Sequence, residues 1–122
     1  MNTDKTILLV DDSDMVLALL SFQLQGEGYC VIEAGDGKQA SQFFDGRSID
    51  LVITDLNMPN MNGLELISLI RTTEGYQYMP VVLFVSENGE DNDYIKTSGA
   101  TALLVKDQVS EKLSRLLKKM IR

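Results

Sequence analysis

Five apolar runs of strand length punctuate the chain: Ile7–Val10, Cys30–Ala34, Leu51–Thr54, Val81–Val85 and Ala102–Val105. Each is continuous rather than alternating, the pattern of strands covered on both faces, as in a parallel sheet. Between the runs the spacing becomes helical. Ser13–Gln25 follows polar capping candidates and stops at Gly26; Val16, Leu19 and Leu20 are its expected core anchors, with Met15, Leu17, Ala18 and Phe22 partly outward. Asp36–Phe44 offers Ala40, Phe43 and Phe44, and Gly63–Thr73 offers Leu64, Leu66, Ile67 and Ile70. The last segment sets Val109, Leu113, Leu116, Leu117 and Met120 on one face, away from Lys112, Arg115, Lys118 and Lys119. Only the stretch "SENGEDNDYIKTSGA" is weak: its apolar anchors are Tyr94 and Ile95 alone, so a short or frayed helix is expected there. Strand and helix thus alternate along the whole chain. The pattern predicts a (βα)5 α/β fold, a doubly wound five-stranded parallel sheet with helices on both faces, and residues 1–122 as a single domain without repeat or linker.

Composition narrows the chemistry. At 122 residues the chain can bury a real core. A formal net charge of −7 argues against non-specific attraction to nucleic acid or an anionic membrane. The longest apolar run outside the strands, Met15–Leu20, is far short of the roughly 20 residues that cross a bilayer. The N-terminal "MNTDKT" has no signal-peptide character, and a cytoplasmic location is expected. Cys30 is the sole cysteine, which rules out an internal disulfide; its apolar surroundings predict a small buried hydrophobe. Histidine is absent altogether. Oxygen ligands are therefore the plausible metal chemistry.

Three apolar runs stop at charged residues: "LLVDD", "LVITD" and "LLVKD". In open parallel sheets functional groups gather beyond the carboxyl ends of the strands, where strand order reverses. If the first, third, fourth and fifth strands are neighbours, Asp11, Asp12, Asp55, Ser86 and Lys106 meet on one rim. Two carboxylates about 4 Å apart repel by roughly 4 kcal/mol at an effective dielectric near 20, so three need compensating positive charge. Lys106 supplies one unit, and acidic side chains, a carbonyl and waters are the ligand set that Mg2+ prefers. Phosphoryl transfer fits that set. A carboxylate beside a dication can attack phosphorus and become an acyl phosphate, while a lysine and a hydroxyl meet the transferred oxygens. Asp55, Lys106 and Ser86 match those three roles. Each residue alone also reads as an ordinary cap or turn residue; their joint placement at strand ends is what points to a site.

Over nearly its whole length the sequence resembles the receiver domains of two-component response regulators, of the chemotaxis-regulator kind. "LLVDDS", "LVITDLNMPNMNGLELI", "VVLFVS" and "GATALLVK" carry the resemblance. It implies the flavodoxin-like strand order 2-1-3-4-5. It also implies that Asp55 is the phosphoacceptor, that Asp12 and Asp55 bind Mg2+ directly, that Asp11 acts through water, and that Asn57 contributes its backbone carbonyl. Ser86 would be the switch hydroxyl and Lys106 the partner of a phosphate oxygen. The phosphoryl donor would be a sensor histidine kinase or a histidine phosphotransfer protein, with no direct role for nucleic acid or membrane within this chain. Three positions depart from the family pattern. Asp107 stands where a proline usually follows the lysine; a non-proline cis bond costs about 2.5–4 kcal/mol, which favours a trans peptide and a differently aimed Lys106. Leu103 replaces an aromatic switch residue, and Glu87 follows the switch hydroxyl where a small residue is usual.

Two other functions fit parts of the pattern. Glu87 and Asp107 suit a degenerate receiver that binds a partner without being phosphorylated. An Mg2+-dependent aspartyl phosphohydrolase resembling the haloacid dehalogenases would need an acid two residues after the nucleophile, where this chain has Asn57. The outward apolar residues of the first helix suit a docking patch for the partner that presents the phosphohistidine.

Overall fold

Alternating short strands and helices build a three-layer sandwich in the computed structural model, which describes residues 5–85, 99–105 and 109–121. The strands are β1 (Thr6–Val10), β2 (Cys30–Ala34), β3 (Leu51–Asp55), β4 (Val81–Val85) and β5 (Ala102–Val105). They form one parallel sheet in the order β2-β1-β3-β4-β5. The described helices are α1 (Asp14–Gly26), α2 (Gly37–Ser41), α3 (Gly63–Arg71) and α4 (Val109–Met120). The weak helix expected before Gly99 lies outside the described residues.

Strand pleating divides the core in two. Ile7, Leu9, Leu51, Ile53, Val82, Phe84 and Leu104 face α1 and α4, where Leu17, Leu20, Leu24, Leu113 and Leu117 close the layer. Leu8, Val10, Val52, Val81, Leu83 and Val85 face α2 and α3, meeting Ala40, Leu66, Ile67 and Ile70. β3 and β4 are buried along their entire lengths, as a continuous apolar run predicts for an inner strand. The edge strands are not. β2 is covered at Ala34 and open at Cys30 and Glu33, so Cys30 is exposed rather than buried, because its strand has a neighbour on one side only.

Two further expectations need correction. On α1 the buried set is Leu17, Leu20, Ser21 and Leu24, whereas Leu19 is 64% exposed. At 100° per residue, Leu17, Leu20 and Leu24 share one face, and Leu19 falls almost opposite. Leu24 was the anchor that fixes this phase. The α2 helix is also shorter than Asp36–Phe44: it ends at Ser41, and Phe43 and Phe44 pack on the core from the following loop.

Side-chain caps start three of the four described helices. The Ser13 hydroxyl accepts from the Val16 N–H, Asp36 accepts from Gln39, and Asn62 with Glu65 forms a reciprocal capping box on α3. At the opposite end of α3, Arg71 donates to the carbonyls of Gly99 (2.7 Å), Met79 (2.7 Å) and Gln77 (3.2 Å). It thereby ties the approach to β4 to the approach to β5, and its partial burial lowers its pKa. Arg71→Ala should cost about 1.5–3 kcal/mol, the range for hydrogen bonds to a charged group, read as a lower urea midpoint at unchanged m-value. Arg71→Lys should recover only part of it, since an ammonium cannot span several carbonyls as a planar fork does.

Candidate metal and phosphoryl site

The acidic groups meet because of strand register. β1 and β3 pair from Ile7 opposite Leu51 to Val10 opposite Thr54. One step further along each chain come Asp11 and Asp55, side by side at the carboxyl end of the sheet's two central strands. The position is also a switch point of the topology: the chain leaves β1 for β2 on one side and reaches β3 on the other. Asp11 and Asp55 are almost fully buried, at 1% and 3% exposure, while Asp12 is open to solvent. One carboxylate oxygen from each of the three lies within 4.8 Å of the other two.

Local hydrogen bonds hold these side chains. Asp11 accepts from the Ser13 N–H at 2.9 Å through Oδ1, and its own N–H donates to the Ala34 carbonyl at 3.1 Å. Asp55 accepts from the Leu56 N–H at 2.8 Å through Oδ1. Gly63 then packs directly on the backbone of Asp55 and Leu56: a Cβ there would collide with the Asp55 carbonyl oxygen, and its N–H donates to the Leu56 carbonyl at 2.8 Å. Gly63 and Ser13 are therefore parts of the site that charge reasoning missed. The "NG" pair at the start of α3 carried the signal for Gly63.

Two carboxylates 4.8 Å apart, the outer limit of this cluster, repel by about 3–4 kcal/mol at an effective dielectric near 20. A hard divalent cation removes that penalty. Three carboxylate oxygens with no nitrogen or sulfur in the set match the donors Mg2+ takes, and their spacing lets one ion reach all three, directly or through water. Asn57 lies two residues beyond Asp55 in the same loop and is exposed. Ser86 and Lys106 lie outside the described residues, as do Glu87 and Asp107. Each of the first two follows the last residue of its strand, and Val85 and Val105 are paired neighbours at the same edge as Asp55. Leu103 on β5 is 39% exposed.

Among the described residues, no helix is long and apolar enough to cross a membrane. Comparison with known proteins agrees with the fold. The sequence pattern of the response regulator receiver domain matches residues 7–118. Response regulator GtcR of Aneurinibacillus migulanus is 39% identical over 98 residues, covering 80% of this chain and 39% of its own length. The chain thus spans well under half the length of the curated relatives it matches. Among solved structures, Vibrio cholerae chemotaxis protein CheY4 superposes with a TM-score of 0.89 at 32% identity, over 98% of this chain and 100% of that one. Response regulator TrrA from Thermotoga maritima, solved in complex with Mg2+–BeF, gives 0.82 at 31% identity, over 96% and 99%.

Proposed function

Because the chain belongs to the response regulator receiver domain family, we propose that Asp55 accepts a phosphoryl group from a partner's phosphohistidine in an Mg2+-dependent reaction, and that the acyl phosphate switches partner binding. The observation that carries this reading is the meeting of Asp11, Asp12 and Asp55 at the carboxyl edge of β1 and β3. Asp12 and Asp55 would hold Mg2+ directly, Asp11 through water, and Asn57 through its carbonyl. Bound there, the cation would offset the charge of the attacking carboxylate and of the incoming phosphoryl oxygens. The N–H of Leu56 already fixes Asp55 Oδ1. A carboxylate oxygen of Asp55 would form the new O–P bond as the P–N bond to the donor imidazole breaks; the bond pair would stay on that ring nitrogen, and a proton carried by the donor's other ring nitrogen, or taken up from water, would let the imidazole depart neutral. Ser86 would donate its hydroxyl to one transferred oxygen and Lys106 its ammonium to another.

The protein incubated with Mg2+ and a small phosphodonor should gain one phosphoryl mass on the peptide containing Asp55, and none in excess chelator. Labelling elsewhere, or equal labelling without the cation, overturns the assignment. No label from any donor would favour the degenerate receiver that Glu87 and Asp107 suggest.

The partner would be a sensor histidine kinase or histidine phosphotransfer protein, met in the cytoplasm. Met15 (71% exposed), Leu19 (64%) and Phe22 (81%) form one apolar stripe along α1, which begins two residues after Asp12. Residues at i, i+4 and i+7 present one continuous face to a partner helix. Phe22→Asp should leave folding and labelling by the small donor intact, yet slow transfer from the cognate phosphohistidine at least about tenfold, the loss typical of a central apolar anchor. Equal transfer rates would remove α1 from the docking surface.

A further inference from the structure

The loop from Leu56 to Asn62 joins the phosphoacceptor to α3 and contains Asn57. It is held in an uncommon shape. Asn60 has φ 69°, the sole non-glycine positive φ among the described residues, and the Met61 N–H donates to the Pro59 carbonyl at 2.7 Å. A hydrogen bond across one residue at that φ is a γ-turn of the rare, strained kind. Its neighbours show what maintains it. The Asn60 amide donates to Asp36 Oδ2 at 2.9 Å, a contact between residues 24 apart in sequence. Asp36 is 8% exposed and uses its other oxygen, Oδ1, to cap α2 through the Gln39 N–H at 2.8 Å. Next to it Gly37 lies so close to Met61 that a Cβ would overlap both the backbone oxygen and the side chain of Met61. The N–H of Gln39 first, and the Asn60 amide second, hold the Asp36 carboxyl below the usual carboxylate range, so it is ionised and a strong acceptor at neutral pH.

We propose that Asp36 and Asn60 form a clamp between the β2–α2 turn and the β3–α3 loop, acting as positioning residues that set where the Asn57 carbonyl stands toward the cation. The inference rests on the Mg2+ reading of the acidic site. Neither residue reaches the acidic cluster; both act through the loop. The sequence supplies the parts in "GDG" and "PNMNG", but only the fold brings Asp36 and Asn60 into contact.

The test is Mg2+ binding by titration calorimetry on the whole chain, paired with the melting temperature and with labelling at saturating Mg2+. Asn60→Gly removes the side chain while keeping the positive φ accessible. Asp36→Ser keeps an N-cap hydroxyl but is too short to reach Asn60. Both should weaken Mg2+ binding roughly tenfold, as loss of groups that orient ligands does, while labelling at saturating Mg2+ returns to near the wild-type extent. Asp36→Asn, whose amide can still cap α2 and pair with a flipped Asn60, should restore the affinity. Wild-type affinity in Asn60→Gly and Asp36→Ser, with only a lower melting temperature, would make the contact purely structural and overturn the clamp. Absence of Mg2+ binding in the wild type would overturn the site reading itself, and the clamp's role with it.

Discussion

Asp55→Asn should take up no phosphoryl group under conditions that label the wild type fully, and should lose most of its thermal response to Mg2+. The first effect is chemical. An amide oxygen is a poor nucleophile and cannot form an acyl phosphate, so the loss is complete rather than partial. The second follows from linkage. A ligand that binds only the folded state stabilises it by RT ln(1 + [L]/Kd), about 2.7 kcal/mol at a hundredfold excess over Kd. In a chain of 122 residues this corresponds to a rise in Tm of roughly 10 °C between chelator and saturating Mg2+. Removing one of three charged ligands should shrink that rise to a few degrees. A full Mg2+ response in Asp55→Asn would mean that the cation binds somewhere other than between Asp11, Asp12 and Asp55.

The same electrostatics predicts an opposite sign for Asp12→Asn measured in chelator. Asp12 is exposed and faces two buried carboxylates within 4.8 Å. Its neutralisation relieves repulsion without opening a cavity. Solvent screens an exposed charge strongly, so the gain is about 1 kcal/mol rather than the full Coulomb value. On the proposed Mg2+ reading, such a gain in chelator would be a site trading some stability for function.

How much of this was readable beforehand depends on the physical scale of each feature. Strand positions followed from continuous apolar runs, and Cys30–Ala34, Val81–Val85 and Ala102–Val105 agree with the structure residue for residue. The acidic triplet was legible because each member sits where a run ends, and parallel register brings run ends together. The strand order came through the family resemblance, since five similar runs do not by themselves declare their neighbours. Exposure at the sheet edges was not legible for the same reason. Cys30 looks like any core residue until β2 is known to be an edge strand. The choice between Leu17 and Leu19 for the buried face of α1 is poorly marked because a helix rich in leucine has little contrast; phase is then fixed by distant anchors such as Leu24. Contacts between loops, such as Asn60 with Asp36, have no periodic signal at all.

Gly63→Ala should be the most damaging single-methyl change near the site, and Gly26→Ala its harmless counterpart. A Cβ at Gly63 would overlap the Asp55 carbonyl oxygen and press on the Leu56 Cα and a Leu83 methyl, both at 3.0 Å. Two of those three neighbours are backbone, one of them in a fully buried central strand, and cannot rotate away as a flexible side chain would. Overpacking of this kind costs about 1–3 kcal/mol or more, a fall in Tm of several degrees, in spite of alanine's better helix propensity. The relief that remains is to push α3 outward or the end of β3 inward, and either moves Asp55 relative to Asp11. Mg2+ affinity should therefore fall together with stability. Gly26, in the last turn of α1, has open space around its Cβ position and no positive φ, so alanine there should be neutral or stabilising by up to about 1 kcal/mol. Equal melting temperatures for the two variants would mean that α3 sits farther from Asp55 than the contact of Gly63 with its carbonyl requires. A fall in both stability and Mg2+ affinity for Gly63→Ala alone would tie the packing of one helix terminus to the chemistry of the aspartate beneath it.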